Sequence, residues 1–125
     1  MPTPYTLSLV TAGDEKTAAL IAEGLVKEKL AACVSIVGGL SSVYRWHDKL
    51  EKKQEFLLII KTRENLCEDV EQFVKRSHNY GTPEILFLNI GRGSKEYLDW
   101  LGANTLFTTN IPKDKAEKEH DEKRA

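Results

Sequence analysis

Residues 33–62 read CVSIVGGLSSVYRWHDKLEKKQEFLLIIKT, and this stretch decides the fold. Val34, Ile36, Leu40, Tyr44 and Trp46 share one sequence parity, the mark of an extended strand. Gly38-Gly39 interrupts the pattern, and paired glycines inside a strand mark a bulge or bend. One long, bent strand is therefore expected over residues 33–46. His47-Asp48-Lys49 makes a short polar connection to a second strand, residues 50–62. The apolar run Phe56-Leu57-Leu58-Ile59-Ile60 predicts that this strand is buried on both faces. Together the two strands form a hairpin. Its distal part, residues 42–54, is rich in charge and aromatics and reaches beyond what one small domain can cover.

On the N-terminal side, residues 5–11 alternate, with Tyr5, Leu7, Leu9 and Thr11 on one parity, as in a half-buried strand that ends at Ala12-Gly13. Asp14 can cap a following helix, and Glu15 suits the positive dipole of its first turn. Ala18, Ile21, Ala22, Leu25, Val26 and Leu30 then recur at helical spacing over about four turns. On the C-terminal side a second helix is expected near residues 64–77, with Leu66, Val70, Phe73 and Val74 on its apolar face. A loop over residues 78–83 leads into a strand over residues 84–90, Pro83 biasing Thr82 toward extended backbone. Ser94 can cap a last short helix carrying Tyr97, Leu98, Trp100 and Leu101, with Gly102 as its stop. The order βαββαβ plus a helix, with helices for one sheet face, fits an α+β ferredoxin-like sandwich with a long bent central hairpin.

Composition sets the outer limits. A chain of 125 residues fits one domain, which residues 1–110 supply. Residues 111–125 form a charged tail: between Lys113 and Arg124 there are five Lys or Arg and five Asp or Glu, and Ala116 is the only apolar residue. Such a segment cannot bury a core face and is expected to be solvated and disordered. Eighteen Lys plus Arg against nineteen Asp plus Glu leave a net charge of −1, so no pull toward nucleic acid is expected. No apolar stretch approaches the about 20 residues of a membrane span, so no membrane partner is expected either. Two cysteines, Cys33 and Cys67, without CxxC spacing imply reduced thiols. The N-terminus lacks a basic n-region and an apolar h-region, which makes the cytoplasm the default location.

Six short motifs then occur in order. They are Thr11-Ala12-Gly13-Asp14-Glu15; Leu30-Ala31-Ala32-Cys33-Val34; Ser42-Val43-Tyr44-Arg45-Trp46; Glu55 with Leu58-Ile59-Ile60-Lys61-Thr62; His78-x-Tyr80-x-x-Pro83-Glu84-Ile85; and Tyr97-Leu98-x-Trp100-Leu101. This set, from about residue 6 to 102, resembles the CutA divalent-cation-tolerance family. The resemblance implies a ferredoxin-like subunit in a tight homotrimer, whose long hairpins wrap neighbouring subunits and extend their sheets. It also implies a role in tolerance to copper and other divalent cations, with Cu(II) the first ion to consider and no organic cofactor. An exposed hairpin carrying Tyr44 and Trp46 would be an aggregation hazard unless its edge were paired, which agrees with that assembly.

His78 is the first candidate metal ligand, because imidazole is a common ligand and this one stands at a helix C-terminus beside a loop. Its alternative role is to knit that loop, with Tyr80 and Glu84, to the trimer interface through hydrogen bonds. Copper-binding members of the family resemble a Cys-His-His set; the corresponding positions here are Val10, Ser77 and His78, and Asn79 replaces a proline. Family resemblance places Tyr44, Trp46, Glu55, Lys61, Tyr80 and Glu84 near clefts between subunits. They read either as a small-ligand pocket, as in the similarly built trimeric PII signalling proteins, or as an interface network. Cys33 and Cys67 read as packing residues, and His47 and His120 as solvated. His78 with Glu84 could make an acid/base pair, but the chain has no P-loop, HExxH or GxSxG motif, and no enzyme is expected. Two functions stand: a homotrimeric divalent-cation binding or tolerance protein, and a PII-like scaffold that takes a small ligand or a protein at its clefts.

Overall fold

The structure, a computed structural model, describes residues 3–107. Strands β1 (Tyr5–Ala12), β2 (Cys33–Trp46), β3 (Lys49–Arg63) and β4 (Ile85–Asn89) form one antiparallel sheet in the order β2-β3-β1-β4. Helices α1 (Glu15–Lys27) and α2 (Cys67–Ser77) cover one face of it, and α3 (Lys95–Ala103) follows β4. The chain is thus a mixed α+β fold with the expected element order. The charged tail lies outside the described residues.

Local chemistry sets the ends of α1. The Asp14 carboxylate accepts from Thr17 N at 2.7 Å and so satisfies one orphan N–H of the first turn. At the other end Lys29 takes φ 59°, and Leu30 N donates back to Leu25 O at 2.9 Å. This left-handed cap turns Leu30 out of the helix and into the core, so α1 is shorter than its apolar periodicity suggests. The second helix also starts later than its spacing predicts, because residues Glu64–Leu66 form a 3₁₀ turn first. Gly102, expected as a stop, lies inside α3, and the helix continues to Ala103. Packing is the reason: a Cβ at Gly102 would stand 2.5 Å from Tyr5 Oη, and Arg63 Nη2 donates to Gly102 O at 2.8 Å. The glycine admits close approach and does not break the helix.

The core lies between the helices and the sheet. Ile21 and Leu25 of α1, Leu66, and Val70 and Val74 of α2 meet Val10, Leu58 and Ile60. Residues 56–60 depart from the expectation of burial on both faces. Leu58 and Ile60 are buried, whereas Leu57 and Ile59 are only half-buried, because α1 and α2 cover one face alone. In β1 the buried parity is Thr6, Ser8, Val10 and Ala12, so the more apolar Tyr5, Leu7 and Leu9 point to the opposite face. That open face also carries Val37, Leu86 and Leu88, which are 45%, 52% and 48% exposed.

The glycine pair does bend β2. Val37 pairs with Leu57 and Leu40 with Glu55, so Gly38 and Gly39 together oppose Phe56 alone. Gly39 adopts φ 74°, a conformation that a side chain would strain. The extra residue reverses the strand's facing. Val34 and Ile36 pair with Ile60 and Leu58 on the helix face, but Leu40, Tyr44 and Trp46, of the same sequence parity, pair with Glu55, Glu51 and Lys49 on the other. At the tip, His47 and Asp48 both have positive φ, 50° and 63°, as a two-residue type I′ hairpin turn requires, and Lys49 already belongs to β3.

Candidate functional site

The loop after α2 is held from several sides. His78 closes the helix, its N–H donating to Val74 O at 2.8 Å. The Tyr80 N–H donates to His78 Nδ1 at 3.0 Å, so Nδ1 is the unprotonated nitrogen. Nε2 therefore carries the proton and donates to Thr11 O at 2.7 Å. Asn79 Nδ2 donates to Asp14 Oδ2 at 3.3 Å, linking the loop to the cap of α1. Hydrogen bonds from Thr17, its backbone first, hold the Asp14 carboxyl below its ordinary 3.8.

Tyr80 stands next to the His78 ring, with centroids 4.5 Å apart, and its hydroxyl donates to Glu55 Oε2 at 3.0 Å. Burial raises the Tyr80 pKa, so the phenol stays protonated and remains a donor. Lys53 Nζ lies 4.0 Å from the centroid of the same ring. Contact with Tyr80 raises the Lys53 pKa above its ordinary 10.5 and keeps the ammonium charged. Tyr80, Lys53 and Glu55 border a cavity of about 480 Å³ between β2, β3 and the loop, which extends along the hairpin toward its tip. Tyr44 and Trp46 form its aromatic wall, and Glu84 with Thr11 completes it. Glu84 has no hydrogen-bond or ion-pair partner among the described residues.

Five of the six residues expected at a cleft therefore converge: Tyr44, Trp46, Glu55, Tyr80 and Glu84. Lys61 does not join them. It lies six residues along β3 from Glu55, about 20 Å at strand spacing, where its Nζ donates to Ser35 Oγ at 2.6 Å and lies 3.6 Å from Cys33 Sγ. Sequence reasoning missed Lys53, although its spacing of two from Glu55 on one strand put both on one face. Thr11 and Asn79 had no such signal, because contacts across the fold alone bring them in. Both cysteines are half-buried free thiols, and burial raises the Cys67 pKa. His47 is exposed at the hairpin tip with its ring against Trp46, and His120 lies outside the described residues. Among the described residues, no three His, Cys, Asp or Glu side chains come together as ion ligands, so none of these residues gives His78 a preassembled site. No helix of the described residues is long and apolar enough to cross a membrane.

Comparison with known proteins places this arrangement. The family model of the CutA1 divalent ion tolerance protein matches residues 6–104. The divalent-cation tolerance protein CutA of Thermus thermophilus is 47% identical over 97 residues, 78% of this chain and 94% of that protein. The chloroplastic protein CutA of Arabidopsis thaliana is 43% identical over 102 residues, 82% of this chain and 56% of that protein. Among solved structures, CutA1 from Oryza sativa superposes with a TM-score of 0.82 at 40% identity, covering 86% of this chain and 98% of that one. The periplasmic divalent cation tolerance protein CutA of Archaeoglobus fulgidus gives 0.78 at 39% identity, covering 80% and 97%. These names correct the expectation of a cytoplasmic location: similar chains are chloroplastic and periplasmic, so the compartment does not follow from this sequence. The family is named for cation tolerance and not for a catalysed reaction. With the match spanning nearly all the described residues, this chain belongs to the CutA1 divalent ion tolerance family.

Proposed function

We propose that the chain acts in divalent-cation tolerance as a homotrimer of ferredoxin-like subunits, and that it works as a ligand-binding scaffold, not as an enzyme. The observation that carries this reading is the open sheet face. Leu7, Leu9, Leu57 and Ile59 lie on it half-buried, with Val37, Leu86 and Leu88 exposed around them. An apolar surface of this kind calls for a partner, and the unpaired edges of β2 and β4 supply strand pairing for further copies. Closed three-fold pairing leaves no open edge. Light scattering on the purified chain should give a mass of about 42 kDa, three times the 14.1 kDa of one chain. A stable monomer overturns the trimer.

Direct binding of a divalent cation, with copper first, is the second reading. It draws on the names of the relatives and on two carboxylates, Glu55 and Glu84, lining one cavity with Tyr80, whose ring stands against that of His78. For His78 to ligate Cu(II), its imidazole must release either the Tyr80 N–H or the Thr11 carbonyl. Other ligands must come from neighbouring subunits or water. Calorimetric titration with Cu(II) separates the two readings. Stoichiometric uptake that is lost in His78→Ala favours the metal site, whereas weak uptake indifferent to the substitution favours the scaffold.

A further inference from the structure

The cavity described above is lined by two carboxylates and one ammonium, with three aromatic rings around them. Glu55 is only 7% exposed, yet just one of its oxygens has a protein partner, the Tyr80 hydroxyl. The other has no hydrogen-bond partner among the described residues, though the Lys53 ammonium is near enough to feel its charge, and Glu84 stands exposed at the cavity's rim. Tyr80 offers the face of its ring, and Lys53 already occupies that face with a primary ammonium at 4.0 Å. Ring faces attract cations through their quadrupole, and the Lys53 contact shows that this face accepts a primary ammonium. A hard divalent ion demands six or more converging oxygens, which this wall does not assemble. A volume of about 480 Å³ also exceeds what a single ion fills.

We propose that this cleft is a receptor for an organic cation bearing a primary ammonium, and that Lys53 is its resident competitor. The inference rests on the reading of the cleft as the ligand site of a scaffold. An incoming alkylammonium would displace Lys53 from Tyr80, set its charge between Glu55 and Glu84, and lay its aliphatic part against Tyr44 and Trp46. Lys53 is on an exposed hairpin and can swing into solvent without disturbing the core.

The sign of one substitution tests this. Titrating the full chain with putrescine at constant ionic strength should give saturable binding. Lys53→Met, which removes the competitor, should tighten it about two- to five-fold, the equivalent of one exposed cation–π contact. Glu84→Gln should weaken it by a similar factor, and inorganic phosphate should not bind. Loss of putrescine binding in Lys53→Met, Lys53-dependent binding of phosphate, or no binding of putrescine by either protein overturns the inference. Light scattering on the same samples tells whether the trimer falls with it, since a trimer that ignores putrescine defeats the receptor alone.

Discussion

Ser8 sits at the centre of the sheet, fully buried under the helices between Ile60 and Phe87, and its Oγ has no hydrogen-bond partner among the described residues. A buried hydroxyl without a partner loses its hydration and gains nothing in return. Ser8→Ala should therefore stabilise the chain, by about 1 kcal/mol, as read from the midpoint of urea unfolding. Asp14 acts in the opposite direction. Its carboxyl titrates below the ordinary 3.8 because Thr17 donates to the ionised form. Folding thus favours the carboxylate, so its contribution is complete above 3.8 and disappears as the pH falls through the lower folded value. Asp14→Ala should unfold at a lower temperature than the parent at pH 7, with the gap closing at strongly acid pH. Asp14 was legible as a cap because its spacing to the helix is local. Nothing around Ser8 in sequence announced its burial, because its neighbours arrive from β3 and β4.

Among the elements, β2 shows how far periodicity can be trusted. Alternation and the glycine pair predicted one long strand with a bend, and the strand and bulge are there. The facing of its residues was not legible, because the bulge shifts register by one and turns Tyr44 and Trp46 away from the side occupied by Val34 and Ile36. That reversal sets both aromatics on the same sheet face as Glu55, where all three line the cleft. Gly39→Ala should cost about 1–2 kcal/mol, because a Cβ at φ 74° meets the backbone. It should also shift the amide resonances of Tyr44 and Trp46 if the bulge relaxes. Lys29, at φ 59°, offers the inverse test at the end of α1. Lys29→Gly should raise stability by about 0.5–1 kcal/mol by removing the left-handed penalty, measured by thermal unfolding. The helix stop assigned to Gly102 failed for a similar reason: composition suggested a terminus, while the approach of Tyr5 and Arg63 decided the residue's role.

For the molecule as a whole, the decisive feature is a sheet with helices on one side only. Apolar residues on both parities of β1 and β3 prepare two faces for burial, and the described chain covers one of them. Leu88, half exposed on the open face, tests what covers the other. Leu88→Asp leaves the helix-side core untouched, so it should preserve the circular dichroism of the fold while shifting the light-scattering mass from trimer toward monomer or aggregate. A trimer unchanged by this charge would remove the open face from the interface.

The sequence by itself determined the element order, the hairpin, the cap of α1 and the family, because each depends on local spacing or on motifs in series. It also marked most of the cleft residues through that resemblance. Only the tertiary structure decided which parity of each strand faces the helices, that His78 spends both ring nitrogens on backbone groups, and that Lys53 joins the cleft while Lys61 does not. Those outcomes depend on register and on contacts between residues far apart in the chain, such as Thr11 with His78 and Glu55 with Tyr80. A one-residue bulge or a covered face settles them, and neither leaves a periodic trace in sequence.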